Sequence, residues 1–401
     1  MKYLVLILSG MADEMIDELD GRTPLEAAKT PNMDRLASQG KVGEARLTPE
    51  RMKTTSDLSM FSLLGYDVRT EYPGKGVFQA AGLNVKLKKE DVAFACHLIT
   101  ENEGQVIDPF AGNIMHLEAK ALFESLNGVF ASRGIHFYPG QNGRHAAVFS
   151  DKANKYAFND IELPPPYEMT DRRLSEVIPQ NPSGQWISSL LEEAKEVLIK
   201  HDVNKVRIDL GENPGNMIWL WGQGRYRELA NFVERKGFTA AIVSSLDVIR
   251  GIAAMTGIQF CHVPQKERPS LEEPLDLKLF ADKALDVLRQ KDIVFVYMDH
   301  TDHASYQNDY KQKIRIIEAF DYYVVGQIME RSLGLDYRMM ITSNHCTPLS
   351  LRTHTDRPVP FLIWGRGIAN DSIEKFHEKT AMSGVKIQDS TQLIDYFVGR
   401  K

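Results

Sequence analysis

The chain is poor in cysteine, has no surplus of basic charge and contains no apolar run long enough to cross a bilayer. Cys96, Cys261 and Cys346 are the only cysteines in 401 residues. Their number is odd and no C-x-x-C pair occurs, so neither a disulfide framework nor a zinc knuckle is expected, and a reducing, cytoplasmic setting is. Lys and Arg number 48 against 54 Asp and Glu, a formal charge of −6. No cationic excess is there to neutralise phosphates along a nucleic acid, so no nucleic-acid partner is expected. The N-terminal run Leu4–Leu8 is too short for a membrane span and no signal-type cleavage site follows it, which argues against a membrane partner. Internal repeats and low-complexity tracts are also lacking. Hydrophobic residues at 43% and charged residues at 25% are ordinary globular values. The length suits two or three domains at about 150 residues each.

What is present reads as alternating strands and helices. Tyr3–Leu8 is a continuous apolar run closed by Ser9-Gly10, the pattern of a parallel-sheet strand buried on both faces. Thr30 is placed as an N-cap, with Pro31 at the first helical position and Gly40 closing that unit. Later strands are expected at 218–221, 240–243, 293–296, 339–342 and 361–364, with helical patterns over 226–236, 246–255, 277–290 and 311–331. Such alternation predicts βαβ units and a mostly parallel sheet flanked by helices, whose ligand site lies at the carboxyl ends of the strands. The middle of the chain has shorter apolar runs, frequent Gly and Asn-Gly turns, and the stiff segment Leu163-Pro164-Pro165-Pro166. The reading is a core domain of residues 1–71 and 181–401, with an inserted α+β cap over 72–180.

Residues following the strands carry the chemistry. Ser56 stands at an expected helix start, where free backbone N–H groups favour an anion beside its hydroxyl. It reads either as a nucleophile accepting phosphate or as a plain N-cap. Five of the eleven His fall between His300 and His377. Asp302, His345 and His354 among the late strand ends are metal-ligand types.

Four blocks carry a resemblance to a known family. They are Thr23–Ala37, Ser62–Asp67, Asn216–Gly224, and His345-Cys346-Thr347-Pro348 with His354 and Pro358–Pro360. Together they resemble the archaeal-type, cofactor-independent phosphoglycerate mutases of the alkaline phosphatase superfamily, and also a homoserine-kinase-like branch of that group. The resemblance covers nearly the whole chain and implies an alkaline-phosphatase-like α/β fold. It also implies a phosphotransferase in which two divalent metals activate a serine that takes and returns the phosphoryl group. Ser56 matches that nucleophile. Asp302, His345 and His354 match metal ligands. Asp57 and Asp108 are carried over as substrate-binding residues.

This chain departs from the family pattern at several of those positions. Ser9 stands where the family has Asp, Tyr306 where it has His, and Asn344 where it has Asp. Both implied metal positions lose ligands. Two divalent cations close together need carboxylates to offset their repulsion, and Asp302 alone is retained from the set. Asp299, His300 and His303 lie beside Asp302 as substitutes, but point in other directions from position 306. Ala95 replaces a family Arg, and Asp108–Asn113 keeps only the Asp of an arginine-bearing block. That removes side chains suited to bidentate phosphate binding. The expectation is therefore an enzyme of altered chemistry on a small phosphorylated, phosphonate or carboxylate compound. One divalent metal or none is expected, rather than the two (Mn, Zn or Co) of the family. Two alternatives stay open: an active metal-dependent phosphotransferase (phosphoglycerate mutase or homoserine kinase), and a non-catalytic paralogue that binds a ligand or protein partner. The oligomeric state is not legible.

Overall fold

The computed structural model describes residues 1–152, 158, 161–264, 277–332 and 334–400. The larger sheet has eight strands: β1 (Lys2–Leu8), β2 (Lys41–Ala45), β8 (Ala240–Ser244), β9 (Gln259–His262), β10 (Ile293–Met298), β11 (Tyr337–Thr342), β12 (Val359–Gly365) and β13 (Val385–Ile387). Their order is β13-β2-β12-β11-β1-β10-β8-β9. All neighbours from β11 to β9 run parallel, and β12 alone is antiparallel to both of its neighbours. The strand β1 shows why a continuous apolar run was needed. Tyr3, Val5 and Ile7 enter the hydrophobic cluster on one face, while Leu4, Leu6 and Leu8 enter the cluster on the other. Successive side chains point to opposite faces, so a strand covered on both sides must be apolar throughout.

The second sheet is antiparallel and built from β3 (Asp91–Asn102), β4 (Gln105–Asp108), β5 (Ile135–Tyr138), β6 (His145–Ser150) and β7 (Met217–Arg225). Its order is β4-β3-β6-β5, with β7 on the other side of β3. Helices His116–Phe130 and Pro182–Ile199 cover it and share its core, in which Trp219 is fully buried. This corrects the expected boundary. The strand at 218–221 does not join the main sheet: it pairs with β3, so the chain stays with the insert well past residue 181 and returns with β8. Periodicity could not decide this, because β7 is as apolar as a main-sheet strand and only its pairing partner distinguishes it.

Other expectations change in detail. The pattern at 226–236 yields only the helix Phe232–Lys236. The long pattern at 311–331 is broken by a π-helical stretch, Asp321–Gly326. That break has a local use. The Asp321 carboxylate accepts the backbone N–H of Asn32 and of Met33 at 3.2 and 2.7 Å, capping the helix Pro31–Ala37. Thr30 occupies the N-cap position there but makes no cap bond.

The helix Lys75–Gly82 joins the two parts. It packs on β3 and on the core helix Asp247–Thr256. A Cβ on Gly82 would lie 1.8 Å from the Asp247 carbonyl oxygen, and one on Gly251 1.8 Å from that of Phe78. Only glycine permits such an approach. No helix among the described residues is long and apolar enough to cross a membrane.

Candidate active site

The carboxyl ends of β1, β10 and β11 deliver Ser9, Asp302 and the pair Asn344-His345 to one place. Ser9 follows β1 directly and is fully buried. Gly10 turns the chain at φ 70°, and a Cβ there would meet Asp302 Oδ1 at 2.0 Å. Asp302 lies in the helix His300–Tyr306, which starts just past β10. His354 comes from the loop before β12.

These side chains close a ring of hydrogen bonds. Ser9 Oγ lies 2.8 Å from Asp302 Oδ2 and 3.1 Å from His345 Nε2. Thr347 Oγ1 lies 2.7 Å from Asp302 Oδ1 and 3.0 Å from His345 Nδ1. Both hydroxyls donate to the Asp302 carboxylate, and the two ring nitrogens of His345 meet the same hydroxyls. Burial raises the pKa of Asp302 and lowers that of His345 to about 3, so the imidazole is neutral. The Tyr297 hydroxyl donates to Ser9 Oγ at 2.9 Å, and Asn344 Nδ2 donates to the Tyr297 oxygen at 3.0 Å.

Tyr306 and His354 form a second unit. The Tyr306 oxygen is 2.6 Å from His354 Nε2. Burial, with Asp302 and Tyr167 nearby, pushes the phenol pKa well above its usual value, so the O–H donates to the imidazole nitrogen. The His354 ring stacks on that of His345 at 3.8 Å between centroids. From the insert, Tyr167 stacks on Tyr306 at 4.5 Å and an interplanar angle of 9°. Glu168 beside it accepts from Thr353 Oγ1 at 2.7 Å and pairs with Lys53 at 3.2 Å. Arg144, also of the insert, pairs with Asp299 at 2.6 Å. The insert is thus held down over the site by polar contacts on several sides.

Ser56 is the first residue of the helix Ser56–Leu63. The N-cap position belongs to Thr55, whose side chain makes no cap bond, so the N-cap reading of Ser56 does not hold. The Ser56 carbonyl accepts from Asn344 Nδ2 at 3.0 Å, which sets the half-buried serine beside the His345 loop. Asp57 is fully buried, with its two oxygens taken by the Tyr72 hydroxyl at 2.5 Å and Lys75 Nζ at 2.8 Å. Asp57 thereby positions Lys75. Asp108 is likewise engaged within the protein. It ends β4 and accepts from the backbone of Phe110 and Gly112 and from Asn213 Nδ2, organising its own turn in the insert. Ala95 is buried mid-strand in β3 opposite Ala146 and Trp221.

The donor set tests which metal centre fits. Among the described residues, Asp302, His345 and His354 form the group able to hold an ion, with donor atoms within 4.8 Å of one another. A single ion fits this two-His, one-carboxylate set. A pair of ions does not. Ser9 and Tyr306 supply hydroxyls that already bond to the remaining donors, and Asn344 presents N–H groups to Ser56 and Tyr297 rather than an anionic oxygen. Neither do the flanking residues rebuild a second shell: Asp299 is paired to Arg144, and His303 Nε2 contacts Gln307 at 3.2 Å. Sequence reasoning missed Thr347, Tyr297, Tyr167 and Lys75. Thr347 stood inside the recognised H-C-T-P block, and Lys75 followed a Pro-Gly turn. Only the fold brings Tyr167 and Tyr297 to the cluster.

Residues 1–394 match the Metalloenzyme superfamily. The 2,3-bisphosphoglycerate-independent phosphoglycerate mutase of Methanosarcina barkeri is 36% identical over 387 residues, 96% of each chain. A probable enzyme of the same name from Geobacter sulfurreducens is 34% identical over the full length of both chains. The solved structure of the PH0037 protein from Pyrococcus horikoshii superposes with a TM-score of 0.78 at 28% identity, covering 99% of this chain and 96% of that one.

Proposed function

We propose that this chain, which belongs to the Metalloenzyme superfamily and to its cofactor-independent phosphoglycerate mutase group, works on a small anionic compound at Ser56 by chemistry other than two-metal phosphoglycerate isomerisation. One observation carries the reading: side-chain hydroxyls of the protein itself occupy the donors that a two-metal centre would need. Ser9 and Thr347 hold Asp302 and His345 in a closed ring, and Tyr306 holds His354. No step through a metal pair is derived from these residues.

The chain's own groups bind and orient. Helix Ser56–Leu63 directs its unpaired first-turn N–H groups past the Ser56 hydroxyl, an arrangement that favours an anionic oxygen. Tyr167, Tyr306 and the Glu168 contacts cover this end and keep bulk water from it. The Ser56 hydroxyl stays protonated at neutral pH and serves as a hydrogen-bond donor to the bound group. A single ion at Asp302, His345 and His354 is a second reading, favoured by the spacing of those donors. Such an ion would polarise an oxygen of the bound anion as a Lewis acid. The test is the conversion of 3- to 2-phosphoglycerate, followed by phosphorus NMR with manganese added, beside elemental analysis of the purified protein. At most one metal equivalent and no turnover are expected. Robust turnover with two equivalents bound would overturn the proposal.

A further inference from the structure

His97 lies within β3 of the insert and is 9% exposed. Neither of its ring nitrogens has a hydrogen-bond partner among the described residues, yet neither is sealed in packing as Nε2 of His145 on the adjoining strand is. Both nitrogens of a nearly buried imidazole therefore reach open space. A polar group left bare inside a protein is costly unless something from outside the chain meets it.

The strand sets that ring at the junction of insert and core. Alternate residues share a face, so His97 stands on the side of β3 that carries Ala95, together with the cross-strand partners Trp219 and Trp221 of β7. The His97 ring is 6.1 Å from that of Trp221. Trp221 in turn meets Tyr167 at 6.2 Å, and Tyr167 stacks on Tyr306 over the core cluster. Lys75 Nζ stands 5.0 Å from the Trp221 ring and pairs with Asp57, the residue next to Ser56. Trp221 and Lys75 also line a cavity of about 170 Å³ between core and insert, room for roughly five or six waters or one small metabolite.

The chemistry of His97 is that of a neutral ring. Burial, with His145, Arg144 and Lys75 nearby, holds its pKa well below the usual histidine value. One nitrogen carries a proton and the other a lone pair, and the tautomer decides which. Both neighbouring side-chain cations are already engaged, Arg144 by Asp299 and Lys75 by Asp57. An anionic group at His97 would gain no unpaired cation and would face a lone pair in one tautomer. A hydroxyl, donor and acceptor at once, satisfies the ring in either tautomer.

We propose that His97 is a specificity-determining contact, selecting compounds that bear an alcohol hydroxyl by exchanging a hydrogen bond with it. This narrows the substrate class of the site assigned above, and rests on that reading for the anionic end at Ser56. Calorimetric titration of the full chain tests it, with glycerate as the probe and propanoate, the same carbon chain without hydroxyls, as the comparator. Wild type should bind one equivalent of glycerate about ten-fold or more tighter than propanoate. His97→Phe keeps a ring and removes both nitrogens, and should bring the two affinities together by weakening glycerate alone. His97→Ala makes the same removal without bulk, and decides should His97→Phe fail to fold by circular dichroism. Equal affinities in wild type, a preference for glycerate that survives in the folded variant, or no glycerate binding would overturn the proposal. Ser56→Ala separates the two readings. If it leaves both affinities unchanged while His97→Phe erases the preference, the anion site at Ser56 falls and the assignment of His97 stands.

Discussion

Two neighbouring regions of the site treat their polar groups in opposite ways. Around Asp302, side chains close on one another: Ser9 and Thr347 bridge Asp302 and His345, and Tyr306 holds the stacked His354, with only His354 Nδ1 and Asn344 Oδ1 without partners among the described residues of this cluster. Around Trp221, two helix starts whose N-cap residues supply no side-chain cap border an open cavity. The first region has the character of a buried polar core, in which satisfied networks fix one arrangement. The second keeps a lined space between core and insert, with Lys53 and Lys75 at its wall. In this chain, Ser9, Tyr306 and Asn344 bond to neighbouring side chains and backbone and turn one end of the site inward, while a cavity borders the other.

Restoring the family's residues should break the contrast most strongly. Ser9→Asp, Tyr306→His and Asn344→Asp together would replace ring hydroxyls and an amide by ligand types at unchanged backbone positions. Without metal, the crowded buried carboxylates should destabilise the fold. With manganese, calorimetry should show two equivalents bound where wild type takes at most one, and the melting temperature should rise with metal concentration. Single substitutions should do little, because ligands of one centre are not additive. The triple variant should still fail as a mutase, since Ala95 and the 109–113 stretch supply no arginine.

A second substitution separates the ring from its support. Lys313 and Asp13 are both fully buried and 2.6 Å apart, and Lys313 also donates to the Thr347 carbonyl at 3.0 Å. Lys313→Met strands the Asp13 charge and should cost about 3–5 kcal/mol in urea unfolding. Opening the ring itself should cost less. Thr347→Val keeps the shape but leaves Asp302 Oδ1 and His345 Nδ1 without their partner, an expected loss of about 2–3 kcal/mol. The smallest effect belongs to the open region. Trp221→Phe removes an N–H with no partner among the described residues, so its stability cost should stay near the lost ring area, about 1 kcal/mol. A loss from Trp221→Phe larger than that from Thr347→Val would erase the contrast.

The residues show how far sequence reading reaches. The alternation of apolar runs located β1, β8, β10, β11 and β12, because both faces of those strands are buried and the pattern cannot be anything else. It misplaced β7, whose composition is identical in kind and whose partner is set by long-range pairing. Ser9, Tyr306 and Asn344 drew notice in the sequence only through the resemblance, as positions where it implies other residues. What they do was not legible: that Tyr306 donates to His354, or that Thr347 closes a ring, depends on distances across loops separated by dozens to hundreds of residues. That the oxygens of Asp57 and Asp108 bond to neighbouring protein groups was not legible either. A carboxylate whose oxygens are both consumed by neighbours looks the same in sequence as one facing a ligand.

The central claim is that protein hydroxyls, not a pair of metals, complete this centre. Crystals grown with or soaked in manganese, with anomalous diffraction at the metal edge, test it directly. The account predicts no more than one anomalous peak, confined to Asp302, His345 and His354, with Asn344 still donating to the Ser56 carbonyl. Two peaks a few ångströms apart, one of them coordinated by Ser56, would contradict it.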